Sequence, residues 1–488
     1  MAKTIAIGVE GLPDDVYTNP LAERYASRAM LEVFSAQRKY TTWRRIWIAL
    51  AESQRKLGLA ITPKQIAELK AFERKLNREA AAEHERKTKH DVMAHIRAYG
   101  DQCPEAKPII HLGATSAFVT DNTDLLQIRE GLLLLREKLL NVIDALARFA
   151  KRHRAMPCLA FTHFQAAQLT TVGKRACLWI QDLVSDLDAL DHRLSRIRGL
   201  GAKGATGTQA SFLALFNGDS EKVRRLDEMV AKALGFPGVV RVSGQTYSRK
   251  TDAQVLDVLA GIAQSAAKFS TDLRLLQHLH EVEEPFGKDQ VGSSAMAYKR
   301  NPTRAERITS LSRYVLAQWS GAAMTAATQW FERTLDDSAG KRIYMPEAFL
   351  ATDAVLVLML ALTRNLVVNR DVIARHAADE LPFMATENLI MAGVKAGGDR
   401  QALHEVVRRH AMEAAAAVRL GKPNPLLDAL RKEPAFARIG SFDRIVDARR
   451  YVGRAPEQVD EFLEAEVAPI LQRERKRLGL QVDLEKLV

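Results

Sequence analysis

The chain has 488 residues, 47% apolar and 27% charged, which excludes disordered, collagen-like and disulfide-dense classes and allows about two to four domains around a large core. Lys and Arg outnumber Asp and Glu by 71 to 59, and this net charge of +12 favours anionic partners: nucleic acid, acidic membranes, or phosphorylated or carboxylated small molecules. Cys103, Cys158 and Cys177 lie far apart in no ligand-like spacing, as fits a reducing compartment. The longest uninterrupted apolar run, Ala354 to Leu362, is too short to span a bilayer, and the first residues lack a signal-peptide layout. A cytoplasmic protein without a membrane partner is expected.

Residues 1–114 read as short helical stretches broken by Pro63, Pro104 and Pro108. Residues 115–366 pattern as long amphipathic helices. Leu132, Leu135, Leu139, Val142, Leu146 and Phe149 follow three- and four-residue steps. So do Leu183, Leu187, Leu190, Leu194 and Ile197, and then Val255, Leu259, Ile262, Ala266 and Phe269. No proline falls between 157 and 237, 237 and 285, or 302 and 346, so these gaps can hold unbroken helices. From 367 to 488 prolines return at 382, 423, 425 and 434, and charge becomes denser. Period-two alternation is nearly absent. The expectation is an all-α chain of three helical domains, 1–114, 115–366 and 367–488, with a long-helix bundle in the middle.

Several patterns invite other readings. Gly199-Leu-Gly-Ala-Lys-Gly204 matches a dinucleotide fingerprint, but it follows a long helix instead of a strand and reads as a flexible turn. His278 with His280, and His90 with His95, miss the helical step of a metal pair and lack a supporting cysteine, so no metal is expected. Arg473, Arg475, Lys476 and Arg477 read as a solvated helix end, not a nucleic-acid arm.

One segment stands apart: Gly292-Ser-Ser-Ala-Met-Ala-Tyr-Lys-Arg-Asn-Pro302, continuing through Arg304, Glu306 and Arg307. Its small residues leave backbone amides free to form an anion nest, with Lys299 as an adjacent charge. A polar interhelical loop has the same composition. The stretch resembles the signature loop of the fumarase/aspartase superfamily. Companion matches are His111-Leu-Gly-Ala-Thr-Ser116 with Asp121-Asn-Thr-Asp124, and Phe161-Thr-His-Phe-Gln165. Within that superfamily the chain resembles the adenylosuccinate lyase family, animal-type branch, at Lys89-His-Asp-Val-Met-Ala-His95, Thr206-Gly-Thr-Gln-Ala-Ser211, Ser243-Gly-Gln-Thr-Tyr247, Trp330-Phe-Glu-Arg-Thr-Leu-Asp-Asp-Ser338 and Glu380-Leu-Pro-Phe-Met-Ala-Thr-Glu-Asn388.

That resemblance implies β-elimination of fumarate from adenylosuccinate, giving AMP, and from SAICAR, giving AICAR. It implies no metal or organic cofactor, and a homotetramer with a helical core and sites shared among subunits. Such a reaction removes a weakly acidic proton beside a carboxylate and then breaks a C–N bond, so charge stabilisation must accompany a placed base and acid. By resemblance Ser293 is the base, its alkoxide rescued by loop amides and Lys299. His163 is the acid and Glu306 the carboxylate that orients it, while His90 is a second site histidine. The resemblance also carries Arg24, Tyr25, Lys89, Asp91, Thr115, Ser116, Gln245, Asn301, Arg307, Arg333, Ser338 and Arg342 into substrate binding. His95 and His111 read as satisfied core or surface residues. Ala297 and Ala166 stand where the family has prolines, and Lys89 where it has arginine. The rivals are a sister enzyme such as argininosuccinate lyase or fumarase, and a basic helical nucleic-acid-binding protein.

Overall fold

Side-chain caps open most of the N-terminal helices. Ser27 starts α1 (Arg28–Val33), Ser35 starts α2 (Ala36–Lys56), and Asn77 starts α4 (Arg78–Thr88). Before α3 (Pro63–Ala71), Thr62 and Gln65 exchange the two bonds of a capping box and proline takes the first helical position. The imidazole of His90 caps α5 (Asp91–Gln102). The computed structural model describes residues 4, 5, 15, 17–287, 289–439 and 441–483.

The bundle follows. It comprises α6 (Ser116–Arg152), α7 (Val172–Arg196), the shorter α8 (Ala210–Leu215) and α9 (Ser220–Ala233), α10 (Lys250–His278), α11 (Thr303–Ala327) and α12 (Asp337–Asn365). The stripe from Leu132 to Phe149 is buried on α6, and that from Val255 to Phe269 on α10. Helix α12 is apolar all round from Ala354 to Leu362, as its burial by α6, α10 and α11 requires. By length and composition it could cross a membrane, but 89% of its apolar window is buried within the protein. It also runs through Pro346, so the proline gap ending there understates its length. Packing on both sides of the proline offsets the one lost backbone bond.

The last third comprises α13 (Arg370–Met384), which packs Ala377 and Leu381 against Leu159 and Leu169, and then α14 (Thr386–Lys395), α15 (Arg400–Arg419), α16 (Leu426–Lys432) and α17 (Phe442–Ile445), which gather a separate small core around Leu389, Leu403, Val407 and Phe436. The chain then returns to the bundle. Helix α18 (Ala455–Phe462) lies on α7, and beyond α19 (Ala468–Arg473) Glu474 pairs with Arg136 of α6 at 2.8 Å. The basic cluster at 473–477 therefore lies on the bundle surface.

The all-α expectation holds with two local departures. Strands β1 (Pro157–Thr162) and β2 (Gln165–Thr171) form an antiparallel hairpin between α6 and α7. A two-residue pair, β3 (Val282–Glu283) with β4 (Val367–Val368), ties the end of α10 to the end of α12. The glycine-rich turn at 199–204 is also firmer than its composition suggests. It is buried, with Gly201 N donating to Asn122 and Ala202 N to Asp227, and the ammonium of Lys203 is paired with Asp227. Gly201 has φ +77°, and a Cβ there would overlap Asp227.

Candidate active site

A cavity of about 880 Å³ opens where α6, α10 and α12 begin. It is a size typical of small-molecule sites. Of the residues singled out from sequence, Lys89, His90, Asp91, Ser116, Arg333, Ser338 and Arg342 line it. Thr115 immediately precedes Ser116 as the N-cap of α6. Gln245 stands beside Arg333, its backbone amide donating to Glu332 O at 3.0 Å. Lys89 holds a left-handed conformation (φ +54°) that ends α4 and turns the chain into α5. His90 Nδ1 accepts the Met93 amide at 3.3 Å, so the ring proton sits on Nε2. Arg342 lies 3.2 Å from Asp91, and Arg333 3.7 Å from Asp337.

Beneath these groups lies an ionic platform, in which Asp121, Asp124, Tyr247 and Asp337 belong to stretches quoted above whereas Arg249, Asp252 and Lys341 were missed in the sequence. Arg249 is buried against both oxygens of Asp121 (3.1 and 3.2 Å) and against Asp337. Lys341 reaches Asp124 at 2.8 Å and Tyr247 Oη at 2.6 Å, and the Tyr247 hydroxyl donates to Asp252 at 2.6 Å. Burial alone would drive the Lys341 ammonium toward neutrality. Asp124 and Asp252 outweigh it, and its pKa is raised. Burial also raises the pKa of Asp252, against the pull of Lys341 and Arg249. Lys39, likewise missed, lines the cavity with its pKa lowered by burial. These residues are scattered from 39 to 341, and only the fold brings them together.

The remaining expected residues lie elsewhere in the chain. Arg307 stacks over Tyr25 at 5.5 Å near the start of α11; burial and the charge of Arg24 lower its pKa, against a raising contribution from Tyr25. Ser293 sits in the loop between β3 and α11, where its Oγ accepts the backbone amides of Ala295 (3.3 Å) and Met296 (3.1 Å). Asn301 donates to Gly292 O at 2.8 Å, and Lys299 closes a turn onto Met296 O at 3.0 Å. Glu306 is exposed in the first turn of α11. His163 is exposed at the tip of the β1–β2 hairpin. It and Phe164 have φ of +54° and +59°, the paired positive angles of a type I′ turn usually given to Asn and Gly. Holding two bulky residues there stores strain of the kind found at functional positions.

Within one chain these groups do not meet. The cavity is at the start of α6, and the hairpin follows its other end, about 55 Å away at 1.5 Å per residue. The Ser293 loop likewise follows the far end of α10, about 43 Å from Arg249. Among the described residues, no hydrogen bond or ion pair joins His163 to Glu306 or Ser293. A smaller hollow of about 370 Å³ between α7 and α18 carries acid and amide groups instead of convergent cations.

Both His95 and His111 have partners inside the fold, His95 buried and His111 half-buried. His95 stacks on Tyr40 with centroids 3.8 Å apart, and His111 accepts from Trp47 Nε1 at 2.9 Å. Burial lowers the pKa of each to about 4. Among the described residues there is no cluster of three metal-ligating side chains, and the three cysteines are free and buried.

Comparison with known proteins adds to this geometry. A family model described as lyase matches residues 48–317, and one described as adenylosuccinate lyase C-terminus matches residues 382–462. The chain is 48% identical to adenylosuccinate lyase of Saccharomyces cerevisiae, covering 96% of this chain and 98% of that protein. It is 50% identical to adenylosuccinate lyase of Schizosaccharomyces pombe, covering 93% and 95%. Among solved structures it is similar to a fumarate lyase from Mesorhizobium sp. BNC1, with TM-score 0.76, 25% identity, and 92% and 100% coverage.

Proposed function

Because this chain belongs to the adenylosuccinate lyase family and is a carbon–nitrogen lyase, we propose that it releases fumarate from adenylosuccinate, and from SAICAR, at a site assembled from several copies of itself. The reading is supported above all by the separation of its parts. The charged cavity is at one end of the bundle, while the exposed tip of the hairpin, which carries His163, and the Ser293 loop are at the other. Antiparallel packing of bundles in a homotetramer brings the far end of one copy against the cavity of another.

In that assembly each group has a physical task. Lys39, Lys89, Arg333 and Arg342 offer charge to a phosphate and two carboxylates, the arginines in bidentate form. Ser293 takes the proton. Its alkoxide is stabilised by the Ala295 and Met296 amides already directed at Oγ, with Lys299 supplying a nearby positive charge. His163 protonates the leaving nitrogen, and Glu306 of a neighbouring copy orients its ring. Arg24, Tyr25 and Arg307 form a second binding cluster that reaches the substrate from another copy. No metal or organic cofactor takes part, and the enzyme works in the cytoplasm, where its buried thiols stay reduced.

The test is spectrophotometric. Purified protein should convert adenylosuccinate to AMP and fumarate at a rate unaffected by EDTA. Inactivity on both succinyl nucleotides, with turnover of argininosuccinate instead, would overturn the substrate; a chelator-sensitive rate restored by zinc would overturn the cofactor claim.

A further inference from the structure

Gln277, in the last turn of α10, is 7% exposed, and its single carboxamide holds both legs of the Ser293 loop. Oε1 accepts the Glu284 amide at 3.0 Å where the loop leaves β3, and Nε2 donates to Arg300 O at 2.9 Å where it returns to α11. Only the nitrogen can donate, so one amide orientation serves both contacts. Glu284 is 3% exposed, and its carboxylate accepts two first-turn amides of α11, Arg304 N at 3.3 Å and Ala305 N at 3.0 Å. Those amides have no partner within the helix, and a buried anion suits that helix end. The Arg304 guanidinium, 3.8 Å from Glu284, donates to Pro285 O at 2.9 Å and ties the same corner again. A buried carboxylate is costly unless it is bonded, and burial does raise the pKa of Glu284.

We infer that Gln277 and Glu284 are positioning residues for the Ser293 base, a clasp that fixes where both legs of the catalytic loop leave the bundle. Neither touches the reacting atoms. The clasp acts through the stem, and the Asn301–Gly292 bond repeats the arrangement nearer the tip. This rests on Ser293 being the base, whereas the clasp itself is a statement about the loop and can be tested apart from activity.

Gln277→Leu keeps the size and removes both bonds. Gln277→Glu keeps the acceptor for Glu284 N and loses the donor to Arg300 O. Hydrogen exchange on the whole protein should show protection across 291–300 falling by about tenfold in Gln277→Leu and less in Gln277→Glu, with α10 and α12 unchanged. On adenylosuccinate, kcat should fall by about tenfold with KM within about twofold, because base placement is lost and ground-state binding is not. Unchanged loop exchange, or loss of protection throughout the bundle, would overturn the clasp. Loop exchange that rises while kcat holds would leave the clasp standing and remove Ser293 from the base role. If Gln277→Leu does not fold, exchange and kinetics of Gln277→Glu and Glu284→Gln decide in its place, and the same results support or overturn the clasp.

Discussion

Ala297 stands, by resemblance, where the family has proline, and its place in the loop says what that change should do. The Met296 carbonyl accepts from Lys299 N at 3.0 Å, which makes Ala297 the second residue of a β-turn. That position favours proline, because φ is already near its fixed value and no bond from the amide is needed. Ala297→Pro is therefore expected to raise stability by about 0.4–1 kcal/mol and to leave kcat nearly unchanged, as denaturant titration and steady-state kinetics would show. A loss of most activity would mean that the loop follows another path. The Ser293 loop was legible in the sequence because its residues are contiguous and resemble a family segment. Lys39, Arg249 and Lys341 were not, because each sits in an unremarkable helical pattern and acquires meaning only when the fold brings it to the cavity.

Among the elements, the long helices could be read directly, since the stripes on α6 and α10, and that on α7 as far as Leu190, repeat with helical period and are buried as that period requires. The hairpin could not. From Gln165 to Gln168 β2 is exposed on both faces, so no inside–outside alternation marks it as a strand. The ionic platform has its consequence at this scale, because Lys341 lies on the same turns of α12 as Ser338 and Arg342. Lys341→Ala strands Asp252 and Asp124 and should cost about 3–5 kcal/mol in urea unfolding, with weaker substrate binding. Adding Asp252→Asn should recover part of that loss, because the two changes remove one interaction. Simple additivity would show that the pair is not coupled.

For the whole molecule, the buried neutral histidines set an acid limit. His95 and His111 stay uncharged in the fold down to about pH 4, while the unfolded chain takes up their protons below about 6.5. Their contribution is thus present above pH 6.5 and is lost as pH falls toward 4. His95→Phe, which keeps a ring against Tyr40, should flatten the stability–pH slope in that window by about one proton, and an unchanged slope would remove His95 from the account. The larger claim is that one chain holds the parts of the active site but not a complete site. His163→Asn suits the left-handed turn and removes the proposed acid; Ser293→Ala removes the proposed base. Each variant should fold and be nearly inactive, as loss of an acid or base costs about 100- to 10,000-fold. The most direct measurement is to dissociate the two variants, mix them equally, reassemble them and assay the verified hybrid assemblies. If His163 and Ser293 of each site come from different copies, about a quarter of the sites receive both intact residues and activity returns to about that fraction of wild type. Hybrids as inactive as their parents would contradict the account.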